Sequence, residues 1–99
     1  MATSAQDGSV RFSIPRHRSR QRAKDLRAGI RYALSQGDRH MVVDCEAWDS
    51  LDLEMLSSLI QCVSVCREHG ASLELANMSD EVRKHVRDLQ LQHRLGLTD

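Results

Sequence analysis

At 99 residues, with 14 Lys and Arg against 14 Asp and Glu and 40% hydrophobic residues, the chain has room for one small domain of globular composition. No apolar run approaches the roughly 20 residues that cross a bilayer, and three aromatic residues leave no stacking platform for single-stranded nucleic acid. Three cysteines, an odd number without small-scaffold spacing, argue against a disulfide framework.

The first seven residues, Met1 to Asp7, lack the basic-then-apolar pattern of a signal peptide, so the expected location is the cytoplasm. The neutral total conceals a split. Residues 1–40 carry nine Lys and Arg against three Asp and Glu, a net +6, and residues 41–99 carry five against eleven, a net −6. Such a dipole suits a phosphate-rich ligand or an oriented protein partner, and it also arises in domains that use it for neither.

Val10-Arg11-Phe12-Ser13-Ile14 alternates apolar and polar, the period of a half-buried strand, and Pro15 ends it. From Ser19 the period changes. Ala23, Leu26, Ile30, Ala33 and Leu34 recur at steps of three and four, which predicts a helix over 19–35 with Ser19 as N-cap and Gly37 as its stop. Arg20, Lys24, Arg27 and Arg31 form a basic stripe beside that apolar face, and Arg16, Arg18 and Arg22 add charge around the helix start. A phosphate-rich partner would use such a stripe, but no base-reading motif accompanies it, so a solvated face and no direct nucleic-acid partner are expected.

Met41-Val42-Val43-Asp44-Cys45 is nearly continuous in apolar character, as in a buried parallel strand. Asp49 or Ser50 then caps a helix predicted over 51–69, ended by Gly70, whose apolar face holds Met55, Leu56, Leu59, Cys62, Val63 and Cys66. Ser72-Leu73-Glu74-Leu75-Ala76 reads as a third strand. Ser79 caps a helix over 80–90, with Asp80 and Glu81 in its first turn complementing the dipole. Three strand–helix units with tight connections imply right-handed crossovers: an α/β fold with a small, mixed, mostly parallel sheet and helices packed mainly on one face.

Familiar catalytic patterns are missing. There is no glycine-rich phosphate loop, no GxSxG elbow and no HExxH. Glu46, Asp49, Asp52 and Glu54 cluster after the second strand, where α/β ligand sites sit, but carboxylates at a helix start are ordinarily dipole partners. Cys62, Cys66 and His69 share one helical face and could in principle bridge a metal. That face also carries Leu59 and Val63, so core packing is the expectation for both thiols, and no metal, cofactor or catalytic residue is expected.

The stretch from Met41-Val42-Val43-Asp44-Cys45 through Trp48-Asp49-Ser50-Leu51-Asp52-Leu53 to Ser79-Asp80-Glu81-Val82-Arg83 resembles the STAS family, named for sulfate transporters and anti-sigma-factor antagonists. In that family a strand ending in Asp leads to a D-S-[S/T]-G-L turn, a long helix, a strand and a further helix. Asp49, Ser50 and Leu53 match the turn. Its second Ser or Thr, which the resemblance would make the phosphate acceptor, is Leu51 here, and the following Gly is Asp52. Leu51 has no hydroxyl to phosphorylate. Ser50 is the neighbouring hydroxyl, with N-capping as a sufficient structural role, and Asp52 carries one permanent negative charge. Residues 1–9 are read as a flexible N-terminus or an extra edge strand, and 10–99 as one STAS-like domain.

The resemblance implies a non-enzymatic protein-binding regulatory module. Its partner would be an ATP-binding, kinase-like anti-sigma factor, with the chain as antagonist but without the usual phospho-switch. Alternatively the partner would be the ATPase of a lipid-asymmetry (Mla-type) ABC transporter, with the chain as accessory subunit. A small nucleotide- or anion-binding protein is the reading from another class. The helix after the turn carries Glu54, Ser57, Ser58, Gln61, Ser64 and Val65 opposite Leu59 and Val63, and small uncharged side chains let another backbone approach without desolvating charge. The expected interface is therefore centred on Asp49, Ser50, Asp52, Glu54, Ser57, Ser58 and Gln61.

Overall fold

The computed structural model of the chain describes residues 2–4, 9–14, 20–48 and 53–95. Four strands, β1 (Ala2–Ser4), β2 (Ser9–Ser13), β3 (His40–Asp44) and β4 (Ser72–Ala76), form one sheet in the order β1-β2-β3-β4. Three helices alternate with them: α1 (Arg20–Ser35), α2 (Leu53–Glu68) and α3 (Asp80–Asp88). The pairs β2–β3 and β3–β4 are parallel, as tight strand–helix–strand crossovers require, while the three-residue β1 runs antiparallel along the outer edge of β2.

The register sorts the side chains by face. Val10 lies beside Met41 and Leu73, and Phe12 beside Val43 and Leu75. These residues line the face on which α1 and α2 lie, packed against each other and against β2 and β4. Val10, Phe12, Met41, Val43 and Leu75 are buried there with Ile30, Leu34, Met55, Leu59, Cys62 and Cys66. Gly29 lets α1 settle close to the sheet, because a Cβ there would lie 2.9 Å from Cε1 of the Phe12 ring. The opposite face is mostly polar, although Val42 on it is buried at 8% exposure. Arg11, Val42 and Glu74 form one row across the strands, and Ser13, Asp44 and Ala76 the next. His40 Nδ1 and Ser72 Oγ lie 2.6 Å apart on that side. Parallel sheets are usually covered on both faces; here a polar row takes the place of the second helical layer.

All three helices stop in the same way. The N–H groups of Gly37 and Asp38 bond the carbonyls of Leu34 and Ala33, and those of Gly70 and Ala71 bond Arg67 and Cys66. At the end of α3, Gln90 and Leu91 bond Arg87 and Val86 in the same pattern. This is the Schellman motif, whose pivot residue needs a left-handed backbone. Gly37 and Gly70 supply it at φ 90° and 69°, and Gln90 adopts it at φ 58° with a side chain in place. The helix predicted over 80–90 accordingly ends at Asp88. Ser79 caps α3 as predicted, its hydroxyl accepting the Val82 N–H at 3.2 Å.

The predicted N-cap Ser19 and the caps Asp49 and Ser50 lie outside the described residues, as do Arg16, Arg18 and the Arg20 side chain. Arg22, read as part of the charge around the start of α1, is instead buried at 5% exposure. Position 22 falls beside Ala23 and Leu26 on the inner side of α1, where its long aliphatic stem can pack.

Candidate functional site

The C-terminal ends of β2 and β3 open onto the segment leading into α2, the end of a parallel sheet where ligands and partners are met. Asp44, the last residue of β3, organises this corner. Its carboxylate accepts from Arg11 Nη2 on β2 at 2.9 Å, from the backbone N–H of Glu46 at 3.0 Å and from Asn77 Nδ2 at 3.3 Å. The Glu46 N–H, then the Arg11 guanidinium, hold the Asp44 carboxyl below its ordinary pKa against a smaller opposing effect of burial. Asn77 reaches this carboxylate from a left-handed backbone, φ 59°, which Asn tolerates better than most residues. A hollow of about 240 Å³ lined by Ser13, Ile14, Asp44, Glu46 and Ala47 lies alongside. Trp48, 1% exposed, anchors the chain beneath and donates its backbone N–H to the Cys45 carbonyl at 2.9 Å.

Beyond Trp48 the chain enters α2. Asp49, Ser50, Leu51 and Asp52 lie outside the described residues. Of the remaining residues expected at the interface, Glu54, Ser57 and Gln61 are exposed along α2. Ser58 is not. It is 0% exposed, and its Oγ accepts a hydrogen bond from Arg27 Nη1 of α1 at 2.7 Å. Each step along a helix turns by about 100°, which leaves Ser58 midway between outward Ser57 and inward Leu59. The arrival of α1 on that flank decides its direction, and Arg27 satisfies the buried hydroxyl.

Leu53 is the residue that the periodicity missed. It stands at the first position of α2, one turn before Ser57, and is 65% exposed. Its signal was an apolar residue in phase with Ser57 and Ser64 rather than with Leu56 and Leu59. Leu53, Ser57, Gln61 and Ser64 thus share the outer strip of α2, and no charged residue occurs between Glu54 and Arg67. A solvated helix ordinarily fills such positions with Lys, Glu and Arg, which are better helix formers than Ser.

The thiols do not join this surface. Cys45, Cys62 and Cys66 are buried, and Cys66 Sγ lies 3.7 Å from Met41 Sδ. Burial pushes the Cys45 and Cys62 thiols up to about 12 and raises that of Cys66. His69 points elsewhere, its Nδ1 2.9 Å from the Val65 carbonyl, and among the described residues no group of three such side chains could hold a metal ion. Of the basic stripe, Lys24 and Arg31 are exposed while Arg27 is half-buried against Ser58. Among the described residues no helix is long and apolar enough to cross a membrane.

A family model described as Mlab, STAS domain, matches residues 1–98. The NMR structure of the protein TM1081 superposes with a TM-score of 0.83, at 13% identity, over 99% of this chain and 78% of that one. At that identity the likeness concerns the fold. No curated protein matches the sequence. The strand–turn–helix corner at Asp44, the single helical layer and the match along the chain agree, and the chain belongs to the STAS domain family.

Proposed function

We propose that the chain is a protein-binding subunit that docks through the start of α2 and does no chemistry of its own. The observation that carries this is the outer strip of α2: Leu53 exposed at the first turn, then Ser57, Gln61 and Ser64 with no charge before Arg67. An exposed leucine beside small uncharged side chains gives a partner an apolar anchor with a low desolvation cost. The expected surface is Leu53, Glu54, Ser57 and Gln61, extended by Asp49, Ser50 and Asp52 just before them. Ser58 is not part of it.

Two observations favour the accessory subunit of an Mla-type ABC transporter, docked on its ATPase. The matching family model carries the description Mlab. Leu51 stands where the phospho-switch of anti-sigma-factor antagonists needs a hydroxyl. The antagonist reading is the second, and it requires binding that persists without phosphorylation.

The test is binding of the purified chain to the ABC ATPase and to the kinase-like anti-sigma factor of its own genome, by interferometry. Binding to the ATPase, lost in a Ser57→Arg, Gln61→Arg double variant with an unchanged thermal midpoint, is the expected result. Binding to the kinase-like protein alone would establish the second reading. Binding undiminished by the double variant would move the interface off α2.

A further inference from the structure

At the other end of the helical layer, the C-terminal ends of α1 and α2 border a cleft of about 250 Å³ lined by Arg31, Leu34, Ser35, Val65 and His69. We propose that this cleft binds a small monocarboxylate with an apolar body.

Arg31 supplies the charge. It is exposed and makes no hydrogen bond or ion pair among the described residues, although its neighbour Arg27 is committed to Ser58. Helix ends often consume such cations as caps, but here the closing carbonyls are already satisfied. Leu34 and Ala33 accept from Gly37 and Asp38, Arg67 and Cys66 from Gly70 and Ala71, and Tyr32 from the Ser35 hydroxyl at 2.6 Å. His69 Nδ1 is also occupied: a carbonyl can only accept, so the bond to Val65 fixes a proton on Nδ1. Arg31 is thus the one fixed positive charge in the lining, and that lining contains no Asp or Glu.

The remaining walls choose the body of the ligand. Leu34 and Val65 are apolar, so an inorganic anion would leave them wet, whereas an alkyl chain would cover them. Drug-sized ligands occupy roughly 300 to 1,000 Å³, so a cleft of this size suits a smaller molecule. The guanidinium fork presents two parallel donors, the geometry that a carboxylate accepts. One fixed charge in a lining that also presents Leu34 and Val65 selects one carboxylate with a short apolar chain. The cleft takes in the last turn of α2, away from Leu53 and Ser57 but one helical turn beyond Gln61.

The experiment is an NMR titration of the ¹⁵N-labelled full chain with hexanoate, and with 1-hexanol and inorganic phosphate as separate arms. Saturable shifts at the Ser35, Val65 and His69 amides with hexanoate alone are expected, in the millimolar range for so small a ligand. Arg31→Gln should weaken hexanoate about tenfold, the worth of a charged hydrogen bond, with its other amide signals in place. Lys84→Gln, on α3, should leave the affinity unchanged. Absence of saturable shifts would overturn the proposal. So would equal shifts from 1-hexanol, which would mean apolar contact only, or from phosphate, which would mean diffuse charge only. An unaltered affinity in Arg31→Gln would do the same.

Discussion

Two side chains show how much a single polar group decides in so small a core. The Ser58 hydroxyl and the Arg27 guanidinium satisfy each other between the helices. Ser58→Ala removes the acceptor and leaves a half-buried cation without it. Such a change costs about 1–2 kcal/mol, and urea unfolding should show the midpoint falling at constant m-value. Asp44 carries a different signature. Its pKa is lower folded than unfolded, so its contribution is fully present above the unfolded value of about 4 and lost as pH falls through the folded one. Thermal midpoints of the natural chain and of Asp44→Asn should therefore differ at pH 7 and converge in acid. A constant gap down to about pH 2 would mean that the carboxylate charge contributes nothing.

Elements were legible wherever a period ran long enough to be read. The alternation in 10–14, the three-and-four spacing from Ala23 to Leu34 and the stops at Gly37 and Gly70 all have counterparts in the structure within one or two residues. The losses have physical reasons. Ala2–Ser4 is three residues with no large apolar side chain, so nothing in its sequence distinguishes a strand from a tail. Gln90 sits where a stop would ordinarily be Gly, which hid the end of α3. Arg22 and Ser58 are polar residues turned inward by neighbours that a linear pattern does not contain. On α2, the exposure of Ser57 and Gln61 was legible from their phase, whereas that of Leu53 was not, because Leu53 was read only as part of the turn. Gly29 illustrates the same limit in reverse. Helix propensity alone favours Gly29→Ala by up to about 1 kcal/mol, yet the new Cβ would press on the buried Phe12 ring at 2.9 Å. Overpacking costs roughly 1–3 kcal/mol, so calorimetry should find the variant less stable than the natural chain.

At the scale of the whole molecule, the two sides of the sheet have different tasks. One holds almost all the apolar packing, with α1 and α2 laid across Val10, Phe12, Met41, Val43 and Leu75. The other presents Arg11, Asp44, His40, Ser72 and Glu74, linked to one another where their geometry allows. The outer strip of α2 therefore belongs to a helix whose inner face is engaged with the core, and the docking surface proposed at Leu53 and Ser57 is one already held in place. This arrangement suits a subunit that is recognised rather than one that rearranges.

Among the described residues, β3 is the only strand bonded along its length to parallel neighbours on both sides. No local opening frees its amides: releasing them requires β2 or β4 to leave, and each is joined to β3 through a helix that carries the core. Deuterium should thus enter Met41 and Val43 last of all, at the rate set by global unfolding, while α3 and the ends of β4 exchange earlier through partial openings. Residue-resolved exchange would reveal that order. If β4 and β3 instead lost protection together, strand and neighbour would form one cooperative block and the sheet would have no separable edge.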